Sequence, residues 1–263
     1  MKKLRFPSLF ILLTLTALGS CGIEDYKYLD PVEPGNIVRI LNTQAFIYLP
    51  RQEEYYFKNF VIYYRIYISG SLLTGSISPD DSNTLNSINA SLYSDYRSIL
   101  PYTNSNNSVV PTNMDYIFAN RRYFTLQLED ISIDSFLEHT SGGYITLDFN
   151  QSTSPWPALF MGDTRSNSSL TPHPLYRHSD ADSRPSNPNN RYLTNNSDLN
   201  NSDNIKEDAS RQNWDVARNT QQIPGEAYTY VSMYIMSYGI EDNFSSIFSI
   251  PTFIGIFRLP NEM

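Results

Sequence analysis

Phe57-Lys58-Asn59-Phe60-Val61-Ile62-Tyr63-Tyr64-Arg65-Ile66-Tyr67-Ile68-Ser69 decides the fold class of this chain. Successive side chains of a strand point to opposite faces. With that period, Phe60, Ile62, Tyr64, Ile66 and Ile68 make one face, and Asn59, Val61, Tyr63, Arg65 and Tyr67 the other. β-branched and aromatic enrichment with one aliphatic face describes a half-buried strand. Shorter β runs precede it at Ile37-Val38-Arg39-Ile40-Leu41 and Ala45-Phe46-Ile47-Tyr48-Leu49, the second stopped by Pro50. Others follow at Arg122 to Glu129, Ile131-Ser132-Ile133, Tyr144 to Phe149 after a Gly142-Gly143 turn, Trp156 to Met161, Glu226 to Tyr238 and Thr252 to Leu259. The chain is expected to be mainly β.

Two segments break the pattern. Leu85, Ile88, Leu92, Tyr96 and Ile99 recur at helical spacing, with Asp80, Asp81 or Ser82 to cap the start and Pro101 to end the run. This predicts one amphipathic helix over about 82–99, packed on a sheet. Thr164 to Asn213 is dominated by Ser, Asn, Asp, Arg and Pro. Such a stretch buries too little apolar surface to offset the entropy of ordering, and is expected to be a long disordered insertion, residues 164–213.

Tyr230-Val231-Ser232-Met233-Tyr234-Ile235-Met236-Ser237-Tyr238-Gly239, followed by Ser249-Ile250-Pro251, resembles the last two strands of fibronectin type III-like sandwiches. Tyr63-Tyr64-Arg65-Ile66-Tyr67 is similar to their third strand. The resemblance implies an immunoglobulin-like sandwich over 36–263, and makes the two best strands neighbours in one sheet. The helix and the insertion fall where such domains have short loops.

At the other end, Lys2, Lys3 and Arg5 precede the apolar run Leu9 to Leu18, and Leu18-Gly19-Ser20-Cys21 follows. Ten residues of helix rise about 15 Å, half a bilayer core, so the run is an export signal rather than a span. Leu18-Gly19-Ser20-Cys21 resembles the lipobox of bacterial lipoproteins. That resemblance implies cleavage before Cys21, a diacylglycerol on its thiol and an acyl chain on the new amine. It makes residues 1–20 a signal peptide and places the protein on a bacterial envelope membrane, held by palmitate-type lipid. Glu24-Asp25 just after the cysteine is similar to the acidic start of lipoproteins sent to the outer surface, which implies the outer membrane, the alternative being a solvated linker. The alternative is ordinary cleavage nearby, leaving Cys21, the only cysteine, as a free thiol. Residues 21–35 then read as an extended tether, with Pro31 and Pro34 disfavouring helix.

Removing the signal leaves 243 residues with net charge −11, and no cysteine pair to staple them. The balance argues against nucleic-acid partners, which require concentrated positive charge, and against electrostatic attachment to anionic lipid. No serine-hydrolase elbow, phosphate loop, metalloprotease helix or paired-cysteine site occurs. His173 and His178, with Asp180 and Asp182, supply too few ligands in a proline-broken stretch for zinc. Asp198-Leu199-Asn200-Asn201-Ser202 starts like a calcium loop but has Asp203 and Ala209 where glycine and glutamate belong. Glu53-Glu54, Asp80-Asp81 and Glu129-Asp130 are adjacent carboxylates, which a strand points apart. The expectation is a non-catalytic protein with no cofactor and no metal.

Tyrosine supplies 20 of the 263 residues. If the two best strands are neighbours, Tyr63, Arg65 and Tyr67 share a face with Tyr230 and Tyr234. Left open, that face suits glycan or protein recognition. Covered by the helix over 82–99, it is a second core. The expected role is a lipid-anchored envelope domain that binds or presents a partner, or alternatively a structural subunit of an envelope assembly. An envelope hydrolase is the weakest of the three.

Overall fold

A computed structural model describes residues 27–69, 71–77, 82–88, 90–99, 102–103, 109–110, 123–128, 137, 141–150, 157–178, 193, 215–217 and 228–259. In chain order the strands are β1 (Ile37–Ile40), β2 (Gln44–Tyr48), β3 (Phe57–Ser69), β4 (Tyr102–Thr103), β5 (Val109–Val110), β6 (Phe124–Thr125), β7 (Gln127–Leu128), β8 (Tyr144–Asp148), β9 (Ala158–Phe160), β10 (Pro172–Tyr176), β11 (Val216–Ala217), β12 (Tyr228–Ile240), β13 (Ser246–Phe248) and β14 (Thr252–Arg258). Two helices, α1 (Ser82–Ile88) and α2 (Ala90–Ile99), lie between β3 and β4. The chain is mainly β, as its periodicity requires.

One sheet has the order β1-β2-β8-β9-β10-β7. The other is built on β3 and β12, antiparallel along their whole length from Tyr228↔Ser69 to Gly239↔Phe57. β14 and β13 share the far edge of β12, while β6 and a short parallel β11 share the far edge of β3. The chain changes sheets at Leu126, between β6 and β7, where the Leu126 amide donates to the Ile62 carbonyl at 2.8 Å.

The sheets face each other across the main core. Phe60, Ile62, Tyr64 and Ile66 of β3 and Val231, Met233 and Ile235 of β12 meet Ile37, Ala45, Ile47, Ile145, Leu147, Leu159 and Leu175 of the other sheet. A bulge in β14 keeps its faces in phase: Met233 pairs with Gly255 and Tyr234 with Phe253, so Ile254 is the extra residue and points inward. Arg39 closes the β14 edge, its guanidinium donating to the Phe253 carbonyl at 2.9 Å and also to the Ile254 carbonyl. Occupied edge carbonyls are poor templates for another strand.

The helical run expected over about 82–99 is present as α1 and α2. Two other segments differ from the sequence reading. Within 164–213, β10 is a strand of the sheet despite two prolines. The Leu175 amide donates to Pro157 O of the β9 side, and among the described residues β7 pairs at Leu175 and Tyr176 alone, so Pro172 and Pro174 face an edge with no described partner strand and no donor is needed there. Residues 179–192 and 194–213 of that segment, and Ile131-Ser132-Ile133, lie outside the described residues.

The second difference is the tether. From Lys27 onward it is docked, with Leu29 and Val32 fully buried. The Tyr56 hydroxyl donates to the Tyr28 carbonyl at 2.8 Å, and Ser237 Oγ to the Asp30 carbonyl. Gly239 makes room for it. A Cβ there would stand 2.6 Å from the Tyr56 carbonyl oxygen and 3.1 Å from Leu29 Cδ1. Gly239→Val is therefore expected to cost about 1–3 kcal/mol and to loosen Leu29, read as a lower urea midpoint with faster proteolysis near residue 29.

Candidate functional site

The expected neighbours do meet. β3 and β12 place Tyr230 opposite Tyr67, Ser232 opposite Arg65 and Tyr234 opposite Tyr63. All five named side chains therefore share the outer face of the second sheet. That face is not open. Tyr63, Tyr67, Tyr230 and Tyr234 are 7, 0, 0 and 1% exposed. They form a second core with Leu85 of α1, with Leu92, Tyr96 and Ile99 of α2, and with Leu73, Ile77 and Phe253. A recognition surface made of these tyrosines is corrected to a packing layer. An amphipathic helix must bury its apolar stripe, and this sheet face is where it does so.

The layer is polar as well as aromatic. Asp95 lies on the buried stripe of α2, between Leu92 and Ile99. Its carboxylate accepts from the Tyr67 hydroxyl at 2.7 Å and pairs with Arg65 Nη1 at 3.0 Å. The Tyr67 and Tyr123 hydroxyls are 3.0 Å apart, and the Tyr123 ring meets the Tyr234 ring edge-on at 5.5 Å. Burial, reinforced by the neighbouring hydroxyl and the Asp95 charge, holds Tyr67 well above the usual tyrosine range. Burial does the same to Tyr123 and Tyr234. These phenols stay neutral at physiological pH and serve as donors and ring surfaces. With no exposed member, the group ties α2 to β3.

A second polar centre lies at the foot of the long polar segment. Arg177, just after β10, and Asp215, just before β11, have fully buried side chains in ion-pair contact. Arg177 Nε donates to Asp215 Oδ2 at 2.8 Å, and Arg177 Nη2 to Oδ1. The Tyr64 hydroxyl donates to Asp215 Oδ2 at 2.7 Å and accepts from the His178 amide at 2.8 Å. The Asp215 carbonyl takes the Ile66 amide at 2.8 Å, which seats β11 on β3. Burial pulls Arg177 downward, but the Asp215 charge and hydrogen bonds outweigh it and hold the guanidinium above its ordinary value. Residues 178 and 215 are thus held on one strand of the core sheet, a closed stem for the chain between them.

No family model, curated protein or solved structure matches the chain. The site must be read from its own residues. His173 is half-buried in β10, and the His178 ring packs on Phe124 with centroids 5.7 Å apart. Among the described residues no three His, Cys, Asp or Glu side chains converge as metal ligands. Glu53 and Glu54 are exposed. Cys21, Asp80-Asp81, Glu129-Asp130, Asp180, Asp182 and the 198–209 stretch lie outside the described residues.

The sequence reading missed both buried ion pairs and the docked tether. Asp95 had a signal, because it falls on the apolar stripe of its own helix. Val216-Ala217, an apolar pair after a long polar run, marked the return of the chain at Asp215. At the tether corner, Lys27 Nζ donates to the Tyr55 hydroxyl at 3.1 Å and to Asp242 Oδ2 at 3.3 Å, and Tyr55 donates to the same carboxylate oxygen at 3.0 Å. This exposed triad joins the start of the described chain to the turn after β12.

Proposed function

We propose that this protein is a bacterial envelope lipoprotein, held in the outer membrane by lipid on Cys21, with a non-catalytic sandwich that presents the segment between residues 178 and 215. The observation that carries the reading is Leu18-Gly19-Ser20-Cys21, placed after a basic start and a short apolar run and containing the only cysteine. Two or three acyl chains make attachment effectively permanent, where one is marginal. The domain is suited to such an anchor. Its tether is docked from Lys27, so five residues, Gly22 to Tyr26, separate it from the lipidated cysteine.

Presentation is favoured over recognition by the tyrosine face because that face is buried, whereas the Arg177–Asp215 stem fixes both ends of an Asn- and Ser-rich stretch on the core. The partner reached by that stretch is a glycan or protein of the envelope or its surroundings. A second reading, as an assembly subunit, draws on the edge strand β1, whose Val38 and Ile40 are 46 and 42% exposed. Ordered oligomers lost on Val38→Lys would favour it. For the anchor itself, growth with an alkyne-bearing palmitate is expected to label the protein, and Cys21→Ser to abolish the label. Equal labelling of the two would sink the reading.

A further inference from the structure

The corner where the tether enters carries the three most exposed aromatic side chains among the described residues. Tyr28, Tyr55 and Phe244 are 52, 69 and 90% exposed there. Tyr28 follows Lys27 directly, and Lys27 and Tyr55 both bond Asp242, two residues before Phe244. Phe244 tips the turn between β12 and β13, which is closed by Glu241 N–H to the Ser245 carbonyl and Phe244 N–H to the Glu241 carbonyl, both 2.9 Å. Its φ is 65°, a left-handed conformation that costs energy for a bulky aromatic residue. The fold thus holds the most exposed aromatic ring among the described residues in a strained backbone, aimed at solvent.

The position of the anchor says what covers this corner. Cys21 is six residues before Lys27, and six extended residues reach about 20 Å at most. A lipid on Cys21 therefore keeps this corner, and no other end of the sandwich, close to the bilayer. Aromatic side chains with one wet and one apolar end settle at the headgroup level of membranes. We propose that Tyr28, Tyr55 and Phe244 form a foot that seats the domain in the interface of the membrane holding its own lipid. The inference rests on lipidation at Cys21.

The seating is apolar rather than electrostatic. Lys27 and Asp242 neutralise each other, and the flanking segments expose Asp30, Glu33, Glu53 and Glu54 against Arg51 and Lys58, a net negative balance. The surface therefore fits zwitterionic headgroups and is repelled by anionic ones. With the foot down, β12 runs up from the membrane, and the loop at 71–77, bonded to Tyr230 near the start of β12, is carried away from it.

The test uses the full lipidated chain recovered from membranes and reconstituted into phosphatidylcholine vesicles. Lipidation blocks the Cys21 thiol, so Asn243→Cys, which leaves Phe244 in place, provides a single site for an environment-sensitive fluorophore. Thr74→Cys provides the distal control. The expected result is a blue shift and quenching by lipid-borne spin labels at 243, neither at 74, and loss of both effects when Tyr55→Ser and Phe244→Ser are added. Adding phosphatidylglycerol should reduce the shift. If the protein floats with the vesicles but the label at 243 reports water, the foot is overturned and the anchor stands. If the protein does not float, the anchor fails and the foot with it.

Discussion

Asp215→Ala is expected to remove about 3–5 kcal/mol of folding stability, the cost of leaving a buried charge without its partner. Arg177 is fully enclosed, and the carboxylate removed is the acceptor of both its ion-pair hydrogen bonds and of the Tyr64 hydroxyl. Domains of this kind have about 5–15 kcal/mol in total, so the loss is a large fraction. It should appear as a lower urea midpoint at unchanged slope. The double change Arg177→Met with Asp215→Leu should recover most of the loss, because the desolvation of two charges disappears with them. The pair is therefore expected to fix where the chain leaves and rejoins the sheet more than to add net stability. A loss below about 1 kcal/mol for Asp215→Ala, the range of an exposed pair, would mean that water reaches the stem.

Raising the pH above 10 is expected to unfold the protein cooperatively. Tyr64, Tyr67, Tyr123 and Tyr234 are held above the ordinary tyrosine value of 10.0, in each case chiefly by burial. Their raised values mean that the folded state keeps four protons which the unfolded state releases above pH 10. The stability they contribute is intact below that pH and is lost as the pH climbs toward the folded values. Each retained proton costs about 1.4 kcal/mol per pH unit, so four approach about 5 kcal/mol per unit. A total of about 5–15 kcal/mol is then exhausted within about one to three units above 10. Phenolate absorbance should rise in one step coincident with loss of β-sheet circular dichroism. Smooth ionisation of all tyrosines in a protein that keeps its fold would show that the main core at Tyr64 and the second core are open to solvent.

Periodicity carried the fold further than it carried the site. The two faces of β3 were readable because a strand alternates strictly, and its partnership with β12 followed from a sandwich arrangement. What alternation leaves unsaid is whether a face meets water or another layer. Tyr63, Arg65 and Tyr67 look alike in either case, and only the stripe of α2 packed against them settles it. β10 was hidden because Pro172 and Pro174 argue against a strand until the edge beside them is known. The Arg177–Asp215 pair joins positions 38 residues apart in sequence. No local pattern encodes such a contact, since it depends on where β3 brings Tyr64. The docked tether was obscured by Pro31 and Pro34, which read as an extended linker, although Pro34 opens a 3-10 turn, Pro34–Asn36, and Leu29 and Val32 enter the core.

The proposed anchor at Cys21 would set which end of the domain meets the membrane, which aromatic residues touch it and which loops are held away. Intact-mass analysis of the protein extracted from membranes tests it most directly. The predicted species begins at Cys21 and carries the added mass of a thioether-linked diacylglyceryl group and an amide-linked acyl chain. A chain that begins at any other residue, or one beginning at Cys21 with an unmodified thiol, would contradict the account.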